Sequence, residues 1–90
     1  MSRILVKGSE ITVPNSVGAG SSFSEATVVR LANPSTSDYV ITVSETNSGS
    51  TVGTFTLLAN TTEVIEKQPR HVVSVASGTD VLGAKVGFTN

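Results

Sequence analysis

The chain contains no cysteine and no tryptophan, one histidine, one tyrosine, and charged residues at only 14%. Each shortage removes a class of function. Without cysteine there is neither a disulfide nor a thiolate metal site, and a single histidine cannot build a His-rich metal centre. Charge is well below the roughly 25% of ordinary soluble domains, and the net charge of −1 leaves no basic excess for counterion release from nucleic acid. Aromatics at 4% leave few platforms on which bases could stack. No apolar run approaches membrane-spanning length. The run Ile4 to Val6 in MSRILVKGSEITVP is far shorter than the apolar core of a signal peptide. The expectation is a product made in the cytoplasm, with no nucleic-acid or membrane partner.

What is present is Ser, Thr, Val and Gly. The 90 residues make one domain, 1–90. A domain of this size buries about 60–65% of the surface its unfolded chain exposes, so its stability is on the order of 5–10 kcal/mol. With disulfides and metals excluded, partners are the remaining reinforcement.

Period-two alternation recurs along the chain. Strands are expected at Ile4–Lys7, Glu10–Pro14, Ala26–Ala32, Tyr39–Glu45, Val52–Leu58, His71–Ser77 and Gly83–Thr89. Val29 and Leu31 point inward; Tyr39, Ile41 and Val43 share a face, as do Phe55 and Leu57, and Ile11 and Val13; Val86 and Phe88 point inward with Lys85 outward. NSVGAGSSFS (Asn15–Ser24), NPSTSD, TNSGS and GTD read as loops and turns. The segment NTTEVIEKQ is ambiguous. Asn60 three residues before Glu63 fits a helix cap, but adjacent Val64 and Ile65 are β-branched and suit a strand that turns one inward and one outward. The strand reading prevails, with ANTT as a hairpin turn back from Val52–Leu58. Seven to eight short strands with turns about every ten residues specify an all-β fold, a small antiparallel β-sandwich, Ig-like or jelly-roll-like, with strand order open.

The densest charge lies in Glu63, Glu66, Lys67, Arg70 and His71. Glu63 and Glu66 stand three apart, on opposite sides of a strand, so they do not converge as acid–base partners. What remains is a polar contact patch or a solvated corner. His71 has no recognisable catalytic companions. The acidic residues lack the clustering of a calcium loop, GAG is not a phosphate-cradling GxGxxG, and NTT reads as a turn rather than a glycan site. No catalytic, cofactor or metal residue is assigned, and a non-enzyme is expected. Phe23, in SSFSE, is a candidate exposed anchor for a partner.

Val28–Arg30, Phe55–Asn60, Val64–Pro69 and Lys85–Thr89 together resemble a family of small structural proteins of tailed bacteriophages, of the cyanophage type, across Ala26 to Thr89. The resemblance implies a virion role, most plainly capsid decoration or cementing, in repeated copies bound to the major capsid protein or other virion proteins as a homo-oligomer or symmetric array. It also leaves open a tail, neck or fibre component, or a host-surface or carbohydrate-binding module. A virion location reconciles an extracellular type of composition with synthesis in the cytoplasm. The resemblance brings no catalytic residues.

Overall fold

A computed structural model describes residues 3–89. It contains eight strands: β1 Arg3–Val6, β2 Ile11–Thr12, β3 Val28–Asn33, β4 Tyr39–Ser44, β5 Thr51–Leu57, β6 Thr61–Glu66, β7 Val72–Val75 and β8 Leu82–Thr89. One 3-10 turn, Val17–Ala19, is the helical element among the described residues. Two sheets form, one ordered β1-β8-β3-β6 with β2 also on β8, the other β5-β4-β7. All pairings are antiparallel. The chain is thus an all-β sandwich, as the alternation requires.

The core is made where the two inner faces meet. Val29 and Leu31 of β3 face Ile41 of β4, Leu57 of β5, and Val73 and Val75 of β7, with Val13, Phe23, Ala26 and Val81 from the connections. Leu31, Ile41 and Leu57 are fully buried, each contributing about 1.5–3 kcal/mol relative to an exposed side chain. Tyr39, Val43, Phe55 and Ile65 pack around them, partly buried.

Strand order settles what alternation leaves open. β3 pairs with β6 and β4 with β7, so the chain changes sheet between β3 and β4 and again between β6 and β7. The immunoglobulin fold shares this interlock, but there the last strand lies beside the equivalent of β7. Here β8 pairs with β3 and β1 in the other sheet. β5 and β6 also lie in different sheets, so ANTT is a sheet-to-sheet crossing and not the hairpin expected. Asn60 serves it with φ +58, a left-handed conformation that asparagine tolerates, rather than as a helix cap.

The β3–β4 crossing is held by one buried side chain. Asn33 Nδ2 donates to the carbonyls of Ser37 (2.7 Å), Leu57 (3.2 Å) and Leu58 (3.3 Å), while its Oδ1 accepts from the Ser35 amide and hydroxyl. At the other end, the Tyr39 hydroxyl donates to Asp80 and its ring lies over Gly78, where φ is +86 and a Cβ would approach the ring to 2.7 Å.

β8 departs from the expected facing. Lys85 pairs with Val29 and Gly83 with Leu31, so these face inward; Ala84, opposite Arg30, and therefore Val86 and Phe88 face outward. The reason is the long loop. The ring of Phe23 sits over Gly83, whose absent Cβ would lie 2.7 Å from it, and Lys85 Nζ donates to the Ser24 carbonyl. Phe88 is left 56% exposed, while Val86 is buried on the outer face opposite Val6. Ile11 and Val13 also part company: Val13 is core and Ile11 is exposed.

The loop itself is pinned to the edge of β7. Val75 donates its amide to Pro14, Ser21 and Val73 exchange both backbone bonds, and Asn47 Nδ2 reaches the carbonyls of Val17 and Gly20. Phe23, Ser24 and Glu25 then take φ of 54, 57 and 59 in succession. Each such residue costs about 1–2 kcal/mol relative to the right-handed form. The turn they make is what drives the Phe23 ring inward.

Candidate functional site

β5 and β6 are the edge strands of their respective sheets on the same side of the sandwich. Their separation opens a cleft of about 670 Å³ lined by Val43, Val52, Phe55 and Ile65, with Glu66, Lys67 and His71 among its polar residues. The Gln68–His71 turn, closed by the His71 amide donating to the Gln68 carbonyl, forms one end.

Three of the expected contact residues, Glu66, Lys67 and His71, are brought together in this cleft. Arg70 is exposed at the neighbouring corner, and Glu63 is exposed three residues earlier on β6. Register confirms that the two glutamates do not converge: Glu63 lies opposite inward-facing Leu31, Glu66 opposite outward-facing Val28.

Two candidates are corrected by burial. Phe23 is 6% exposed and belongs to the core, so it is not a surface anchor. Lys67 is 7% exposed. Its Nζ donates to the carbonyls of Ala26 (2.7 Å), Gln68 (3.2 Å) and Pro69 (3.4 Å). Burial first, and the charge of Lys85 second, hold its pKa below the ordinary lysine value. The ammonium therefore ties the loop before β3 to the corner after β6 and is not presented to a partner. Sequence could not show this, because the residue that receives the proton-bearing end is a backbone carbonyl 41 positions away.

A second surface includes Phe88, which the alternation assigns inward. On the outer face of the larger sheet, Ile4 lies beside Phe88 and Val6 beside Val86, while Arg30 lies beside Val64. Ile4, Val6, Val64 and Phe88 are 41%, 67%, 38% and 56% exposed. Arg30 and Glu10 form an ion pair of 3.7 Å on the same face. Among the described residues, no group of three or more His, Asp or Glu converges as a metal site, and no helix is long and apolar enough to cross a membrane.

These features define a class, a small all-β sandwich with exposed apolar residues on its outer face and an open edge cleft. Comparison with protein families, with curated proteins and with solved structures gives no match.

Proposed function

We propose that the protein is a non-enzymatic structural component of a tailed-phage virion, decorating or cementing the capsid surface in many copies. The observation that carries the docking role is the outer face of the larger sheet, where Ile4, Val6 and Phe88 lie together in solvent on the adjacent strands β1 and β8, with Val64 exposed beyond Arg30 at the β6 edge. Exposed apolar residues grouped on one face mark interaction surfaces. The virion assignment rests on the sequence resemblance over Ala26 to Thr89. Low net charge suits close packing of identical copies, and many weak, identical contacts add through multivalency.

The test is quantitative mass spectrometry of purified particles together with cosedimentation of the isolated protein on capsids. Many copies per particle, and weakened cosedimentation of Phe88→Ser with an unchanged fold, are expected. Absence from particles, or presence at a copy or two, refutes the decoration role. One observation favours a second reading, a glycan-binding fibre module: Phe88 is an exposed aromatic of the kind that sugars stack on. Specific binding on a glycan array, abolished by the same substitution, would select it.

A further inference from the structure

We propose that copies of this chain associate head to tail, the free edge of β1 in one copy pairing antiparallel with the free edge of β6 in the next. This does not depend on the virion assignment and can fail or hold separately from it.

The argument begins with strand direction. β1 and β6 are the two outer strands of the four-stranded path β1-β8-β3-β6. Three successive antiparallel pairings make β6 run opposite to β1. A second copy placed beside the first in the same orientation therefore presents β1 to β6 in the antiparallel sense, and the sheet continues without reversing any strand. Among the described residues neither strand has a second partner strand. Edges of this kind are templates for pairing unless they are blocked, and here β1 is Arg-Ile-Leu-Val, exposed throughout.

Facing and charge then choose a register. On β6, Glu63 and Ile65 face inward and Val64 and Glu66 outward. On β1, Leu5, opposite inward-facing Gly87, faces inward, while Ile4 and Val6 face outward. Lys7 continues the ladder, its amide donating to the Lys85 carbonyl. Setting Leu5 against Ile65 puts Val6 against Val64 and Lys7 against Glu63, every pair on a common face. Leu5, 49% exposed in the isolated chain, then lies along the β6 lip of the cleft beside Ile65. On the outer face Val6 of one copy then meets Val64 of the next, while Ile4 falls opposite the outward-facing Glu66. A slip of one residue would put every pair on opposite faces. A slip of two would place Leu5 against Glu63 and lose the Lys7–Glu63 match.

The two surfaces are different, so the contact is heterologous and repeats, giving rings or open chains rather than a closed pair. A four-residue strand contact falls well short of the roughly 1,000 Å² of a stable interface. Association of the free protein is therefore weak and strengthens when copies are concentrated on a surface.

Sedimentation of the purified protein over a wide concentration range, with Lys7→Glu, Glu63→Lys and Val64→Lys variants, tests this. Lys7, Glu63 and Val64 are exposed, so unchanged circular dichroism and unfolding midpoints are expected. Wild type should pass beyond dimer. Each charge reversal alone should weaken association about three- to five-fold, and Val64→Lys by about tenfold or more. An equimolar mixture of Lys7→Glu and Glu63→Lys should recover wild-type association, since each variant's β1 then meets a complementary β6. No association of wild type at millimolar concentration overturns the proposal. So does a dimer indifferent to Glu63 or to Lys7, which would indicate β1–β1 or β6–β6 pairing instead.

Discussion

Replacing Lys67 distinguishes a structural cation from a contact residue. Its ammonium is buried and donates to three carbonyls, of which that of Ala26 is the most enclosed. A hydrogen bond from a charged donor contributes about 1.5–3 kcal/mol, and two of the three carbonyls lie where water can replace the lysine. Against that stands desolvation of the charge, which is the main reason for the lowered pKa and which a neutral isostere avoids. Lys67→Met keeps the aliphatic stem, so its cost falls at the lower end, about 1–2 kcal/mol. Lys67→Ala also removes about three methylenes at roughly 0.8 kcal/mol each, for a total of about 3–4 kcal/mol. In a chain this short, about 1 kcal/mol moves Tm by roughly 4–8 °C. Met should therefore lower Tm by about 5–15 °C and Ala by about twice that or more. Urea and thermal unfolding of the two variants measure it. If Lys67→Met unfolds within about 0.5 kcal/mol of wild type, the range of ordinary surface changes, the cation holds nothing together and the buried tie is wrong.

Other outcomes follow from single contacts. Asn33→Ala strands the carbonyls of Ser37 and Leu57 and the Ser35 donors, and should cost about 2–4 kcal/mol in urea unfolding. A loss below about 1 kcal/mol would show that the turn holds itself. The bond to Asp80 raises the Tyr39 pKa above the ordinary phenol value of 10.0, so the fold retains the phenol proton more strongly than the unfolded chain. Its contribution is full below that ordinary value and is lost as pH rises through the folded value. Lys67, lowered from 10.5, acts in the opposite sense, its burial penalty easing as pH rises. Tyr39→Phe should remove the alkaline loss and leave a stability profile that rises towards the ordinary lysine pKa; a profile unchanged by the substitution rejects the Tyr39–Asp80 link. Glu25→Gly relieves one of three consecutive left-handed residues. Set against glycine's entropy cost of about 0.5–1 kcal/mol, it should stabilise by about 0.5 kcal/mol, read as a higher urea midpoint. A lower midpoint would mean that the turn is not strained.

Alternation was enough to place the eight strands and most of the core, because inward residues such as Val29, Leu31, Ile41 and Leu57 stand at every second position of half-buried strands. It failed at β8 for a local reason. That strand has glycines at two of its inward positions, Gly83 and Gly87, and the apolar residue that fills the space over Gly83 comes from a loop 60 positions earlier. A reader of alternation assigns Val86 and Phe88 inward because nothing local says otherwise. Phe23 is hidden by the same cause, since a phenylalanine among serines looks exposed until Gly83 makes room for it. The cleft floor of Val43, Phe55 and Ile65 was legible as apolar positions but not as a site, because only strand order shows that β5 and β6 open away from each other. Lys67 stands among charged neighbours in the sequence, whereas its partners are backbone carbonyls, which sequence does not mark.

The sandwich is closed on one side and open on the other, and the closing element explains why. The loop Asn15–Ser24 lies against the edge of β7, with Ser21 pairing there in place of a further strand, while Phe23 fills the layer between β8 and the smaller sheet. Among the described residues nothing comparable lies along β5 or β6, and their flanks carry Val52 at 53% and Val64 at 38% exposure. A chain that uses a left-handed turn to protect one edge has the means to protect another, for instance by a lysine or a proline at Val64, a position that already tolerates solvent. Leaving that edge bare while β1, at the far side of the same sheet, presents three apolar residues makes each edge the other's complement across copies. The outer face, perpendicular to both edges, stays available for a surface beneath. Sheet twist of about 20–25° per strand pair would then turn each copy relative to the last, so the row winds as it grows.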